Sequence, residues 1–264
     1  MSEQFTREVI ARRAAREVAG FLLPHLRSGM RLIDCGCGPG NVTADLAGVV
    51  DPGDVVGIDI SERDLESGRA LVRDRGIGNV TFQVASVYEL PFPDGSFDVA
   101  FAHALLQHLG DPLAALKEMR RVLRPGGLAG IADPAWHRAL RAPTNPILDA
   151  WDALRTRTIA HNGGSPFYAS NQRALLREAG FRQTEGGAWM AGADRSGAAG
   201  TLDTTRSSAQ AHLARLRGSV EQLALQQGWA SQEELDAMAD ALVAWGDRPD
   251  AFYALPICWG LGWA

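Results

Sequence analysis

Short apolar runs alternate with amphipathic segments along the first half of the chain. We interpret five of these runs as buried strands: MRLIDC, DVVGIDI, NVTFQVA, SFDVAFA and LAGIAD, which begin at positions 30, 54, 79, 96 and 128. Between the strands, helical spacing marks residues 41–49, 61–74 and 111–123. Strands that alternate with helices in this way predict a doubly wound α/β fold, with a mostly parallel sheet covered by helices on both faces.

The two ends of the chain follow less regular patterns. A helical pattern opens the chain and Pro24 ends it, whereas the last apolar run is typical of a buried strand. Before that run, two helical patterns cover about 206–227 and 231–245. We predict a single domain over 1–264, with these parts: an N-terminal helix 1–24, a cofactor-binding core 25–135, a cap 136–180, a helical insertion 200–246 and a terminal strand 250–264.

Charge and cysteine content narrow the class of protein. The net charge of −5 over 264 residues argues against an obligate nucleic-acid binder, which normally presents a basic face. Three cysteines cannot build a disulfide framework, so we expect a cytoplasmic protein. The terminal apolar run is too short to cross a bilayer as a helix. We therefore expect neither a nucleic-acid partner nor a membrane partner, and we leave open whether the chain forms a homodimer.

The stretch LIDCGCGPGN places three alternating glycines where a strand turns into a helix. Gly36, Gly38 and Gly40 permit positive φ and let a ligand lie against backbone N–H groups. A nicotinamide fingerprint would need glycine at position 41, which is Asn41. The Cys-x-Cys spacing has no second pair of ligands nearby, so we predict no metal site.

Two aspartates stand at the ends of the first two strands. Asp34 precedes the glycines, and a carboxylate there suits a ligand with an ammonium group better than a pyrophosphate. Asp59 lies about twenty residues beyond the loop, where its carboxylate can accept both hydroxyls of a ribose. The alternative role for Asp59, capping the next helix, fits Ser61 or Asp64 better.

Four segments together resemble the class I S-adenosylmethionine-dependent methyltransferases that act on small molecules. They are LIDCGCGPGNVTADLA, VVGIDIS, LPFPDGSFDVAFAHALLQHL and EMRRVLRPGG, and the similarity covers roughly Arg31 to Asp133, with a weaker echo in LLREAGF. The resemblance implies S-adenosylmethionine as cofactor and a seven-stranded sheet in the order 3-2-1-4-5-7-6. It also implies that Asp59 holds the ribose and that Ile60 packs on the adenine.

The resemblance also implies the remainder of the cofactor site. Where the family often has an acidic residue for the adenine amino group, this chain offers Ser86, a hydroxyl without charge assistance. The complete set that we predict to bind the cofactor is Asp34, Gly36, Cys37, Gly38, Asp59, Ile60, Ser86, Val87, Ala102, His103 and His108.

Candidate bases follow the fourth and fifth strands. His103 and His108 lie on one side, Asp133 and His137 on the other, and we expect the three histidines to share one rim, although each alone is more typical of packing. His103 is the first candidate for the catalytic base, His137 the second and Tyr168 the third. Aromatic residues of the cap suit a flat or apolar acceptor, unless they only join the cap to the sheet: Trp136, Trp151, Phe167, Tyr168 and Trp189.

Three functions stay open at this stage. The favoured one is methylation of a small apolar or aromatic metabolite, such as a natural product, at oxygen, nitrogen or carbon. The second keeps the cofactor but catalyses a cyclisation or rearrangement without methyl transfer. The third, methylation of RNA or protein, is opposed by the acidic balance and by AHAL standing after the fourth strand in place of an Asn-Pro-Pro-Tyr-like tetrapeptide.

Overall fold

The computed structural model describes residues 15–191 and 201–264, and the chain divides into two compact units. The sheet unit comprises, among these residues, 15–133, 168–188 and 258–264. The helical unit comprises 134–167, 189–191 and 201–257. Most of the helix predicted over 1–24 lies outside the described residues; its described part is a helix followed by a 3-10 turn at Leu23–His25.

The described residues form eight strands and nine α-helices. The strands are β1 (Leu32–Cys35), β2 (Val55–Asp59), β3 (Val80–Val84), β4 (Phe97–His103), β5 (Leu123–Pro134), β6 (Leu140–Ala142), β7 (Gln183–Ala191) and β8 (Phe252–Trp263). The helices are α1 (Ala15–Val18), α2 (Asn41–Val50), α3 (Glu62–Asp74), α4 (Pro112–Val122), α5 (Pro146–His161), α6 (Gln172–Glu178), α7 (Leu202–Arg215), α8 (Glu221–Gln226) and α9 (Gln232–Gly246).

The strands pair in the order β3-β2-β1-β4-β5-β8-β6, and β7 also pairs with β8. The first five strands are parallel to one another. β8 runs against β5, because Ala264 N donates to Gly127 O at 2.9 Å whereas Ala135 N donates to Pro256 O at 2.8 Å. Without the short β6, which the sequence pattern did not predict, the order confirms the expected 3-2-1-4-5-7-6 arrangement.

Both faces of the central parallel strands β1, β2 and β4 are buried, whereas the edge strand β3 is partly exposed. Leu32 and Val55 belong to one apolar cluster, and their neighbours Ile33 and Val56 belong to another. Successive side chains of a strand point to opposite faces, so the two clusters lie on the two sides of the sheet. This arrangement explains why the segments of the central strands are nearly continuous apolar runs, whereas the segment of β3 alternates.

Local sequence signals set the helix ends. Ser61 caps α3 by accepting the N–H of Asp64 at 3.3 Å, and Asp111 caps α4 with Pro112 in the first turn. The prediction of one continuous helix over 206–227 is wrong: a π-type turn at Leu216–Val220 separates α7 from α8, because Gly218 has non-helical dihedrals (φ −97°, ψ −123°). No helix among the described residues is both long and apolar enough to cross a membrane.

Candidate cofactor and active site

The turn between β1 and α2 brings bare backbone to the surface of the sheet unit. Gly36, Gly38 and Gly40 have φ values of +69°, +52° and +74°. A β-carbon at Gly36 would lie 2.8 Å from Leu105 Cδ1, and one at Gly40 would lie 2.5 Å from Phe82 Cζ. A β-carbon at Gly38 would meet no atom within 4 Å. The outer two glycines therefore serve packing, whereas Gly38 faces open space in which a ligand can approach the backbone.

The Asp59 carboxylate is held at the end of β2 by two backbone donors. Gly38 N donates to Oδ2 and Ser61 N donates to Oδ1, both at 2.9 Å. Each carboxylate oxygen has two lone pairs, so each retains one after these bonds. A pair of neighbouring hydroxyls, as on a ribose, matches these two remaining acceptor positions.

Asp34 is a buried carboxylate at the beginning of the same turn. Its Oδ2 accepts the hydroxyl of Thr43 at 2.7 Å. Burial raises the pKa of Asp34 to about 7; the Thr43 hydrogen bond opposes this rise and the charge of Asp59 adds to it. An ammonium group beside Asp34 would favour the ionised form. The sequence analysis did not predict this role of Thr43. The only local signal for it is that Thr43 lies in the first turn of the helix that follows the glycines.

Three apolar or aromatic side chains near the ends of β2 and β3 are exposed. Ile60 is 79% exposed, and Val84 and Tyr88 are 49% and 43% exposed. Isoleucine is among the residues most often fully buried, so this exposure at the end of β2 suits a flat apolar ligand. Ser86 Oγ accepts the N–H of Tyr88 at 3.2 Å and keeps its own proton and a lone pair, and Val87 beside it is buried.

The two cysteines at the end of β1 and in the following loop are protonated thiols. Cys35 is buried, and the Cys37 N–H donates to Ile58 O at 2.9 Å. Burial raises the pKa of both thiols well above the usual range, so they are protonated. Neither cysteine belongs to a group of three or more potential metal ligands among the described residues.

The carboxyl end of β4 carries a strained backbone. Ala102 is buried and His103 is half-buried. Directly after His103, Ala104 has φ +55° and is the only non-glycine residue with positive φ in the described part of the chain. Its N–H donates to Ala132 O at 2.7 Å, which holds the end of β4 against β5. His108 is exposed in the following 3-10 turn.

A second buried carboxylate lies at the end of β5; the sequence analysis placed it beside His137 but did not rank it among the three candidates for the base. Asp133 is 1% exposed; its Oδ1 accepts the N–H of Gln107 at 3.4 Å and its Oδ2 accepts the side-chain amide of Gln172 at 3.3 Å. Burial raises the pKa of Asp133 to about 7, against the effect of these hydrogen bonds. A buried acid with a pKa this close to neutrality is a candidate site of proton transfer.

The other two predicted catalytic residues belong to different units. His137 is exposed in the helical unit, where its Nδ1 lies 3.2 Å from Pro166 O and its ring centroid lies 5.1 Å from that of Phe167. Tyr168 begins the 3-10 turn Tyr168–Asn171 of the sheet unit and is half-buried.

Of the aromatic residues expected to line an acceptor pocket, Trp151 is a core residue. It is fully buried in the helical unit, and its indole N–H donates to His212 Nδ1 at 3.2 Å. Phe167, by contrast, is 52% exposed. Trp151 therefore packs in the core and is not available to a ligand, whereas Phe167 exposes part of its ring.

Comparison with known proteins agrees with this geometry. A family model described as a methyltransferase domain matches residues 26–179. The 27-O-demethylrifamycin SV methyltransferase of Amycolatopsis mediterranei is 38% identical over 184 residues, which cover 68% of this chain and 63% of that protein. The ubiquinone/menaquinone biosynthesis C-methyltransferase UbiE of Vibrio parahaemolyticus is 39% identical over 175 residues, which cover 60% of this chain and 67% of that protein.

A solved structure extends the similarity to the whole fold. The structure of the cyclase SpnF superposes with a TM-score of 0.57 at 22% identity, covering 94% of this chain and 84% of that one. Against three further curated relatives the matched region spans about half of the relative's length, namely 47%, 62% and 44%.

Proposed function

The chain belongs to the class I S-adenosylmethionine-dependent methyltransferases, and we propose that it transfers a methyl group from this cofactor to a small apolar or aromatic metabolite. One observation carries the proposal: the contact of Asp59 Oδ2 with Gly38 N at 2.9 Å. It joins the residue expected to bind a ribose to the one loop glycine that faces open space.

The residues of the sheet unit fit this cofactor in charge and shape. Asp34 is suited to the ammonium group and Asp59 to the ribose hydroxyls, since each carboxylate keeps acceptor positions. Ile60 offers an exposed apolar surface for the adenine, and Ser86 a hydroxyl for its amino group. Bound in this way, the cofactor would supply an electrophilic methyl group.

Methyl transfer is an in-line displacement, so alignment of donor and acceptor supplies much of the rate. We propose that the chain contributes this alignment together with a base at His103. The imidazole of a histidine can accept a proton, and we assign to His103 the removal of the proton from an acceptor hydroxyl. His137 and Tyr168 are the second and third candidates for the base.

A small organic acceptor is favoured over a macromolecule. Two relatives are named for the methylation of 27-O-demethylrifamycin SV and for ubiquinone/menaquinone biosynthesis. The net charge of −5 gives no electrostatic support to RNA binding.

The test is incubation of the full chain with cofactor labelled in its methyl group and an extract of small metabolites. We expect S-adenosylhomocysteine to form together with a labelled organic product, and pretreatment of the extract with nuclease and protease to leave both yields unchanged. Conversion of a metabolite without formation of S-adenosylhomocysteine would contradict the proposal in favour of cyclisation or rearrangement. Label that disappears after nuclease or protease treatment would instead identify RNA or protein as the acceptor.

A further inference from the structure

The helical unit contains a cavity of about 580 Å³ whose lining includes His137, the second candidate for the base. The rest of the lining also comes from the helical unit and includes two aspartates, three arginines and several apolar side chains. The residues that matter here are Trp136, Arg141, Asp152, Ala153, Arg155 and Arg157. A cavity of this volume matches the size range of small-molecule sites.

Arg155 is the unusual member of this lining, because it is a buried cation with incomplete hydrogen bonding. It is 3% exposed, and its Nη2 contacts Asp152 Oδ1 at 3.0 Å. Nε and Nη1, which carry three of the five guanidinium N–H bonds, form no hydrogen bond of good geometry among the described residues, and the buried Tyr253 hydroxyl, which interacts with Arg155, has no well-formed hydrogen bond either. A buried donor without a well-formed hydrogen bond is destabilising, and more so when the group is charged. The Tyr253 hydroxyl is neutral, so among the described residues Asp152 is the counter-ion of this guanidinium.

The nearby carboxylates are already engaged. Asp152 Oδ2 accepts from Arg141 Nη1 at 2.7 Å, so Asp152 is shared between Arg141 and Arg155. Asp149 also pairs with Arg141. Arg157 stands over the ring of Trp229, with its Cζ 4.4 Å from the ring centroid. Two guanidinium groups, those of Arg141 and Arg155, thus share two carboxylates, and Arg157 adds a third positive charge to the lining.

Further positive charge is concentrated beside Arg155. The Cζ atoms of Arg155 and Arg215 lie 4.3 and 5.0 Å from the centroid of the Trp136 ring. The buried imidazole of His212 responds to the same field: burial lowers its pKa well below the usual value, and the charges of Arg155, Arg215 and Arg141 lower it further.

We propose that this cavity is a binding site for a small organic carboxylate, whose anionic group pairs with Arg155. The apolar part of the ligand would contact Trp136 and the alanines of the lining, Ala139, Ala153 and Ala160. A bare inorganic anion would leave most of the volume unfilled. Nε and Nη1 are shielded from solvent, so a carboxylate that reaches them would pair with the guanidinium away from water.

The experiment uses the full chain without cofactor and compares benzoate, its neutral analogue benzamide and inorganic sulfate by calorimetry. We expect benzoate to bind at least about tenfold more tightly than benzamide, the scale of a charge-assisted hydrogen bond. We expect Arg155→Met to lose about the same factor, whereas Arg157→Met, an exposed arginine of the same lining, changes benzoate affinity less than about threefold.

A second variant keeps the test valid if Arg155→Met does not fold. Ala153 is exposed and lines the cavity, so Ala153→Trp should fill the space without disturbing the core and should abolish benzoate binding. Equal affinity for benzoate and benzamide, or benzoate affinity that survives Ala153→Trp, would overturn the proposal. Sulfate binding as tight as that of benzoate would contradict the preference for an organic carboxylate and would indicate a general anion site. Because the cofactor is absent, none of these outcomes depends on methyl transfer.

Discussion

Asp59 accepts the N–H of Gly38 at 2.9 Å, so the end of β2 is tied to the turn that follows β1. The two residues are 21 positions apart in the chain. Their contact fixes the carboxylate and the loop backbone in one arrangement before any ligand binds. A site that is ordered in advance loses less conformational entropy on binding, which favours affinity.

The glycine loop should be intolerant of side chains where packing is tight. Gly36→Ala places a β-carbon 2.8 Å from Leu105 Cδ1 at a positive φ, so we expect the free energy of unfolding to fall by about 1–3 kcal/mol. Gly48→Ala is the matched control: Gly48 is exposed within α2, with nothing within 4 Å of its new β-carbon. Urea unfolding should show Gly48→Ala unchanged or stabilised by up to about 1 kcal/mol. Equal effects of both changes would contradict the packing role.

Cofactor affinity should depend on the ionisation of Asp34. Its pKa is about 7 in the free protein, and an ammonium ligand binds the ionised form better. Affinity for S-adenosylmethionine should therefore fall as the pH is lowered from 8 to 6. Asp34→Asn is the control that removes this titration while retaining any titration of the cofactor. Identical pH profiles of wild type and variant, measured by calorimetry, would rule out the proposed contact.

The order of the main elements was predictable from sequence because each depends on a local signal. Apolar runs mark the strands, and Ser61 and Asp111 cap helices where the pattern places them. The short strand β6 was not predicted, because its three residues form a strand only through pairing with the distant β8. The break between α7 and α8 was not predicted, because it depends on the backbone of a single glycine, Gly218, within a stretch whose residue pattern is continuously helical.

Asp133 should make the stability of the free protein depend on pH. Its pKa is raised to about 7 in the folded chain and is near 3.8 when unfolded, so its favourable contribution is complete below the unfolded value. This contribution is lost as the pH rises toward and through 7, and the loss is of the order of 2–4 kcal/mol. As the pH rises from 5 to 8, the thermal unfolding temperature of Asp133→Asn should therefore fall less than that of wild type. Parallel profiles for the two proteins would show that burial does not perturb Asp133.

His103 should matter for turnover rather than for cofactor affinity. If the acceptor is a hydroxyl, we expect His103→Ala to lower kcat by about 10²–10⁴ while the cofactor Kd stays nearly constant. His161→Ala removes an exposed histidine of α5 that lies outside the predicted cofactor site, and it should leave kcat nearly unchanged. A wild-type rate for His103→Ala with a hydroxyl acceptor would show that His103 only shapes the pocket.

The site was predictable from sequence only as far as short motifs reach. Asp34, the glycines and Asp59 stand at fixed spacing in the chain, and the structure places Gly38 and Asp59 in contact. The environment of Asp133 was not predictable, because Gln172 reaches it from 39 residues away and its pKa depends on burial by the surrounding fold. For the same reason, burial of Trp151 against His212 was not visible in the aromatic pattern of the cap.

The most direct test of the account is calorimetric titration of S-adenosylmethionine into wild type, Asp59→Ala and Asp74→Ala. Asp74 is an exposed aspartate at the end of α3 and serves as the control. We expect wild type and Asp74→Ala to bind alike, and Asp59→Ala to lose about 1.5–3 kcal/mol, the scale of hydrogen bonds to a charged group. Thermal unfolding should show that all three proteins are folded. Unchanged affinity in folded Asp59→Ala, or absence of binding to wild type, would contradict the cofactor site described here.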